Sequence, residues 1–257
     1  MAAAGASEIL RVDDMSVVYP SSRGPISAVS NLSMSMNAGE FVSILGPSGC
    51  GKSTLLNVLA GLQKASSGQA SLFGKPVDGQ PHRNIGIVFQ QARLLPWLTV
   101  LENIFIPIDA MRLKRADYLD RAHALLKLVG LPKFAKHYPD ELSGGMQQRV
   151  GLARSMIHDP KLILMDEPFA ALDAMTRERM SVELQEILGK SKQSVLFITH
   201  SIPEAVFLSD RVLMMSSSPG RFIEEVHVPL KRPRALDAMA SGEFAELCGR
   251  LRKLYKH

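Results

Sequence analysis

Cysteine is scarce: the 257 residues contain two, Cys50 and Cys248. So low a count excludes a disulfide framework and suits a reducing cytosol. Nowhere do eighteen apolar residues follow one another, so the sequence offers no membrane span, and any membrane role must run through a partner. No compact arginine-rich block precedes the C-terminal end. The net charge of +5 permits contact with anionic lipid or nucleic acid without demanding it. The opening Met1-Ala2-Ala3-Ala4-Gly5-Ala6-Ser7 lacks the basic region and apolar core of a signal peptide and is expected to be a frayed tail. Fixed-period repeats and sustained heptads are missing too, which excludes solenoids and long coiled coils. What remains is an ordinary globular composition, 46% hydrophobic and 21% charged. That is enough to bury a core as one domain or two tightly joined lobes.

The stretch Gly46-Pro47-Ser48-Gly49-Cys50-Gly51-Lys52-Ser53-Thr54 fits G-x-x-x-x-G-K-[ST], the phosphate loop of nucleotide hydrolases. Before it, Phe41–Leu45 reads as a short apolar strand. After it, Thr54–Ala60 reads as a helix that stops near Gly61. Strand, glycine-rich turn and helix are what the chemistry requires. Glycines let the backbone curl round an anion, successive N–H groups point inward, and the helix adds the positive end of its dipole. The motif assigns Lys52 to the β- and γ-phosphates and Ser53 to Mg²⁺.

The flanking sequence alternates strands with helices, as a parallel α/β sheet does. From about Ile9 to Leu45 it is β-rich. Met15–Tyr19 is a strand candidate closed by the turn 20–25, and Leu32-Ser33-Met34-Ser35-Met36 alternates apolar with polar. Ile85–Phe89 is another apolar strand, ending at Gln90. Thr99-Val100-Leu101-Glu102 has the spacing of a capping box and predicts a helix start. From about Ala116 to Val129, Leu119, Ala122, Leu125, Leu126 and Val129 share one helical face. The whole interval from Thr99 to about His158 reads as helical, which suggests a separate lobe. Strand returns at Leu162–Met165 and Val195–Ile198, with a helix over about Thr176–Leu188 between them. Arg211–Met215 and Phe222–Val226 flank Ser218-Pro219-Gly220 as a β-hairpin. The last helix carries Phe244, Leu247, Cys248, Leu251 and Leu254 on one face. It is expected to pack that stripe on the body, a basic membrane-surface helix being the other reading.

Six motifs stand in one order: Gly46–Thr54; Gln90 at a strand end; Leu142-Ser143-Gly144-Gly145-Met146-Gln147-Gln148-Arg149; Leu162–Met165 with Asp166-Glu167-Pro168; Ala170-Ala171-Leu172-Asp173; and Thr199-His200. With them the chain resembles the nucleotide-binding subunits of ATP-binding-cassette transporters, from Tyr19 to about Arg234. The element Leu142-Ser143-Gly144-Gly145 is the most specific, since other phosphate-loop families lack it. The resemblance implies an α/β fold: a P-loop (RecA-like) ATPase core with an antiparallel β subdomain and an inserted all-helical signature subdomain. It divides a single ATPase domain into a catalytic core with β subdomain (8–98 and 159–228), a helical subdomain (99–158) and a C-terminal helical tail (229–257).

The cofactors implied are ATP and Mg²⁺. Asp166, just past a strand end, orients the hydrated ion with Ser53 and Gln90. The resemblance places Glu167 near the γ-phosphate, which makes it the natural general base for the attacking water. By the resemblance, His200 contacts the γ-phosphate and holds the attack geometry. Gln90, reaching metal and water through its amide, begins the loop that faces the membrane partner. Lys52, Gln90, Glu167 and His200 are thus the catalytic set. The nucleotide is contacted by Gly46, Pro47, Ser48, Gly49, Cys50, Gly51, Lys52, Ser53 and Thr54. Ser143, Gly144 and Gly145 stand at a helix start expected to be capped by Ser143; by the resemblance they serve the nucleotide of a partner subunit, with Asp173 at that interface. Two subunits then hold two ATP molecules head to tail, as a homodimer or with a close homologue. Tyr19 is placed to stack on adenine, strand packing being its other reading. Expected partners are a second ATPase subunit, integral-membrane permease subunits and a solute-binding protein, with no nucleic acid. The expected location is peripheral, on the cytoplasmic face of the inner or plasma membrane.

Two departures stand out. Met146 occupies a position where many cassettes have glutamine, and Ser201 follows His200 where aspartate is frequent. Arg93-Leu94-Leu95-Pro96-Trp97, Ser218-Pro219-Gly220-Arg221 and Leu230-Lys231-Arg232-Pro233-Arg234 resemble the nitrate, sulfonate and taurine importer branch. Trp97, the one tryptophan, sits in an apolar loop expected to receive a short cytoplasmic helix of the permease, core packing being the other reading. A cassette for lipid or lipoprotein export, or one linked to nucleic acid, is a competing class. The second usually brings paired cassettes, zinc modules or long coiled coils, and none is visible.

Overall fold

The computed structural model describes residues 7–22, 24–170, 172–191 and 193–255. Met1–Ala6 of the expected tail, Arg23 of the first turn and Ala171 of the fifth motif therefore lie outside the described residues. The chain forms two compact units, Met1–His82 with Gln193–His257, and Arg83–Lys192. In chain order the first unit begins with β1 (Glu8–Tyr19), β2 (Ile26–Asn37), β3 (Phe41–Leu45), α1 (Lys52–Leu59), β4 (Ser67–Leu72) and β5 (Lys75–Pro76). The second unit carries β6 (Ile85–Val88), α2 (Val100–Ala110), α3 (Leu119–Leu128), α4 (Gly144–Met156), β7 (Leu162–Asp166) and α5 (Ala174–Ser191). The chain then returns to the first unit with β8 (Ser194–Thr199), α6 (Ile202–Leu208), β9 (Arg211–Met215), β10 (Phe222–His227) and α7 (Gly242–Leu254).

Within the first unit, β2, β1, β4 and β5 form an antiparallel sheet in that spatial order. β1 starts seven residues before the expected Met15, because Ile9, Leu10 and Val12 are buried. Asp13-Asp14 hides this in the sequence: Asp14 takes φ 46°, and the register shifts there. The sequence pattern does not predict β4. Its Ser-Gly-Gln-Ala-Ser-Leu has little strand propensity, and pairing with β1 rather than local preference makes it a strand.

The other sheet portion of this unit pairs β3 in parallel with both β8 and β9, and β10 closes it antiparallel to β9 as the expected hairpin. Every residue of β3 and β8 is buried, which explains their unbroken apolar runs. The register sets where the loops emerge. Leu45 is level with Thr199, so the phosphate loop and His200 leave the sheet side by side at the carboxyl edge. In the second unit β6 pairs in parallel with β7, with Val88 level with Met165. Gln90 and Asp166 therefore leave that pair at its carboxyl edge, where α/β folds place ligands.

Residues 99–158 hold α2, α3 and α4, with no strand among those described. The Thr99 capping box forms: Thr99 N donates to Glu102 Oε2 (2.8 Å), and Glu102 N to Thr99 Oγ1 (3.3 Å). The helix expected from Ala116 begins at Leu119, after a 3₁₀ turn over Arg115–Tyr118. Leu119 is consequently 43% exposed, while Ala122, Leu125, Leu126 and Val129 are buried as expected. α7 buries Phe244, Cys248 and Leu251 and packs on α6, in agreement with the packing reading. Both cysteines are buried.

The segment after β10 is fastened to α6 by a buried cation. Arg234 donates from Nη1 to Val206 O (3.0 Å) and Phe207 O (2.7 Å), from Nη2 to Ser209 O (2.9 Å), and from Nε to Leu230 O (3.1 Å). Burial pulls its pKa down to about 10, so it stays charged at neutral pH. It meets the carbonyls that α6 leaves unpaired at its negative end.

Candidate nucleotide site

Gly46, at the end of β3, is buried. A Cβ there would lie 2.9 Å from Met215 O and 3.0 Å from Cys50 Sγ. Gly51, at φ 95°, precedes α1, and its Cβ would lie 2.4 Å from Val29 Cγ1. Only glycine fits a left-handed turn pressed so closely against β2. The Lys52 side chain lies across the loop, and its ammonium donates to Gly46 O and Pro47 O, each at 2.8 Å. Lys52 itself is only 4% exposed. No acid occupies the first turn of α1, as suits a helix start that meets an anion. Ser53 is exposed and Thr54 half-buried in that turn. Tyr19 reaches the same turn: its hydroxyl donates to Gln63 Oε1 (2.7 Å) and lies 3.3 Å from Thr54 Oγ1. The structure thus brings Tyr19 to the phosphate loop despite the loop at 20–25.

The Ser-Pro-Gly turn has a role that its sequence does not disclose. Gly220 N donates to Ala28 O, and Ser30 N to Gly220 O, both at 3.0 Å, which zips the turn to β2. Gly220 then lies directly against the phosphate loop: a Cβ would sit 2.0 Å from Cys50 O and 2.4 Å from Met215 Cε. No local sequence signal marks this long-range contact. Gly220→Ala is expected to displace the loop and weaken binding of a fluorescent ATP analogue about tenfold. Unchanged affinity in a titration would remove this support role.

His200 is exposed at the end of β8. Its backbone is set by the adjoining turn, in which Ser201 N donates to Thr199 Oγ1 (2.9 Å) and Thr199 Oγ1 donates to Glu204 Oε2 (2.7 Å). Ser201 caps α6 by accepting from Glu204 N (3.4 Å). Serine and aspartate are both strong N-caps, so this departure from the family pattern preserves the local structure.

In the second unit, β7 ends at Asp166, and Glu167 adopts φ 43°. A left-handed glutamate is uncommon and carries a backbone cost. Here it turns the chain so sharply that Ala170 N donates to Glu167 O (3.1 Å). Asp173 caps the start of α5, accepting from Thr176 N (3.0 Å) and Thr176 Oγ1 (2.6 Å). The Thr176 side-chain bond, then its backbone N–H, hold the Asp173 carboxyl below the usual carboxylate range. Ser143 caps α4 as expected, accepting from Met146 N (3.3 Å). A Cβ on Gly144 would meet nothing within 4 Å, so this helix start is open to an approaching molecule. Gln90, Gly144, Pro168 and Leu172 line one cleft of about 310 Å³.

Trp97 is 69% exposed, which excludes core packing. Its loop is nevertheless rigidly tied. The fully buried Asn103 accepts from Leu95 N (2.7 Å) and donates to Leu95 O, Leu98 O and Thr99 O at 3.0–3.1 Å.

Residues 29–170, more than half of the chain, match the family model described as ABC transporter. The chain belongs to that family. The taurine import ATP-binding protein TauB of Rhizobium johnstonii is 44% identical over 252 residues, covering 96% of each chain. The bicarbonate transport ATP-binding protein CmpD of Synechocystis is 42% identical over 231 residues, 89% of this chain and 82% of that one. Among solved structures, the dimeric post-hydrolysis cassette MJ0796 bound to ADP and Pi aligns with a TM-score of 0.76 and 32% identity, over 87% of this chain and all of that one. This ABC chain is an ATP-binding subunit that couples ATP hydrolysis to transport. Its parallel core strands with an antiparallel β sheet are those of the ABC cassette. Among the described residues no helix is long and apolar enough to cross a membrane.

Proposed function

We propose that this ABC subunit drives uptake of a small anion of the taurine, bicarbonate or nitrate kind through separate permease subunits. The taurine and bicarbonate transport relatives support the substrate class. The single observation that carries the chemistry is the register of the parallel strands. It brings the phosphate loop and His200 together at the carboxyl ends of β3 and β8, and Gln90 and Asp166 together at the carboxyl ends of β6 and β7. Lys52 holds the β- and γ-phosphates, Tyr19 takes the adenine, and His200 holds the γ-phosphate. Glu167 accepts a proton from the attacking water.

The Ser53 hydroxyl, the Gln90 amide oxygen and the Asp166 carboxylate are hard oxygen donors of the kind Mg²⁺ takes, and they are the residues that would hold it. When bound, the ion neutralises phosphate charge. Ser143, Gly144, Gly145 and Asp173 serve the nucleotide of a second ATPase subunit, a reading supported by the dimeric state named for the MJ0796 cassette. This chain's single ATPase domain divides into a catalytic core with β subdomain (8–98 and 159–228), a helical subdomain (99–158) and a C-terminal helical tail (229–257). A solute-binding protein completes the importer, which places this subunit peripherally on the cytoplasmic face of the membrane.

Trp97 anchors the subunit to the permease. A buried aromatic anchor is worth about 2 kcal/mol or more, so Trp97→Ala is expected to weaken assembly roughly thirtyfold or to uncouple hydrolysis from transport. If both assembly and coupling are unchanged, the docking role is wrong. For the function itself, the native membrane complex should contain importer-type permeases, and its binding protein should take up taurine, nitrate or bicarbonate. Isolation with an exporter permease alone would overturn the importer reading.

A further inference from the structure

The loop that begins at Gln90 is fastened to the helix that carries the signature motif. Just before Gln90, Phe89 O accepts from Gln148 Nε2 at 3.0 Å. Just after it, Ala92 O and Arg93 O accept from Arg154 Nη2 and Nη1 at 2.5 and 3.0 Å. Between these two side chains, Gly151 gives α4 a bare patch. A Cβ there would rest 3.6–3.9 Å from Ala92 atoms, so the loop lies in van der Waals contact with the helix backbone. Ala92 and Gln148 are buried at this contact. The loop is further braced by Arg93, whose backbone is left-handed (φ 45°) and whose guanidinium lies 5.2 Å from the centre of the Phe89 ring. Gln90 and Gln91, between the two fastenings, are both exposed.

All three bonds come from side chains of α4 and go to backbone carbonyls. They therefore fix the path of the loop whatever side chains it carries. The same helix begins at Ser143-Gly144-Gly145, one turn before Gln148. Carbonyls on both sides of Gln90 are thus bonded to the helix that carries the signature motif.

We propose that Gln148 and Arg154 are positioning residues that fix Gln90 to the signature helix, so that Gln90 takes up its working place only when α4 does. This rests on the proposed role of Gln90 toward metal and water. Arg154→Lys removes the two-pronged grip and keeps the charge. In the full chain it is expected to lower kcat for ATP hydrolysis about tenfold, leave KM for ATP within about twofold, and raise the Mg²⁺ concentration needed for half-maximal rate. In a Gln90→Ala background the same change is expected to have no further effect on kcat, because the group it positions is gone. A tenfold loss that multiplies onto that of Gln90→Ala overturns the proposal alone. Wild-type hydrolysis and Mg²⁺ dependence in Gln90→Ala overturn the reading of Gln90, and the proposal with it. Should Arg154→Lys fail to fold, Gln148→Met removes the other fastening at Phe89 O, and the same outcomes decide.

Discussion

Glu167→Gln is expected to bind ATP, to hold the ATP-bound dimer closed, and to hydrolyse at least about a hundredfold more slowly, the scale on which a general base contributes. That loss corresponds to about 2.7 kcal/mol of barrier. The change is minimal: glutamine has the same shape and keeps one accepting oxygen, but it carries an NH2 donor in place of the second oxygen, and its amide cannot take a proton from water at neutral pH. The backbone cost of the left-handed position is common to both side chains, since neither is β-branched. The variant should therefore fold like the parent and differ in chemistry alone. Single-turnover hydrolysis measures the chemical step. ATP-dependent dimerisation, monitored by size-exclusion chromatography, tests whether binding survives. Near-normal turnover would remove Glu167 from the mechanism. Loss of both binding and turnover would assign it a structural part at the end of β7.

Glu167 also illustrates which features are legible in the sequence. Its neighbours Leu162–Met165 and the strand at Val195–Ile198 are unbroken apolar runs because the strands are buried, so their place and type can be read directly. The motifs sit where those runs end, which makes the candidate residues readable as well. The helix caps at Thr99 and Ser143 are legible because their partners are three residues away. What the sequence hides depends on residues far apart along the chain. β4 is a strand because β1 offers it a partner. Gly220 is needed because Cys50 O lies where a Cβ would go. The grip of Gln148 and Arg154 on the Gln90 loop spans about sixty residues and targets backbone carbonyls, which leave no trace in the side-chain pattern. The left-handed conformation of Glu167 has no sequence signature either, since glutamate is not a turn residue.

Lys52→Ala is expected to fail one step earlier, at nucleotide binding. The ammonium is buried against the loop, donating to Gly46 O and Pro47 O, so its position is set before any phosphate arrives. A preorganised cation of this kind contributes to affinity without a large ordering cost. Each hydrogen bond to a charged phosphate oxygen is worth about 1.5–3 kcal/mol, and the residue is assigned to both the β- and the γ-phosphate. Losing both predicts at least about a hundredfold weaker binding of ATP. ADP, which lacks the γ-phosphate, should be affected less. The two carbonyls that Lys52 now serves would also lose their donor, and the turn at φ 95° on Gly51 would lose a brace. Equilibrium titration with labelled ATP and ADP, read together with the Glu167→Gln results, separates the two roles. A variant that binds ATP normally but cannot hydrolyse it would show that Lys52 acts on the transition state alone. Equal losses for ATP and ADP would show that it acts by shaping the loop and not by reaching the γ-phosphate.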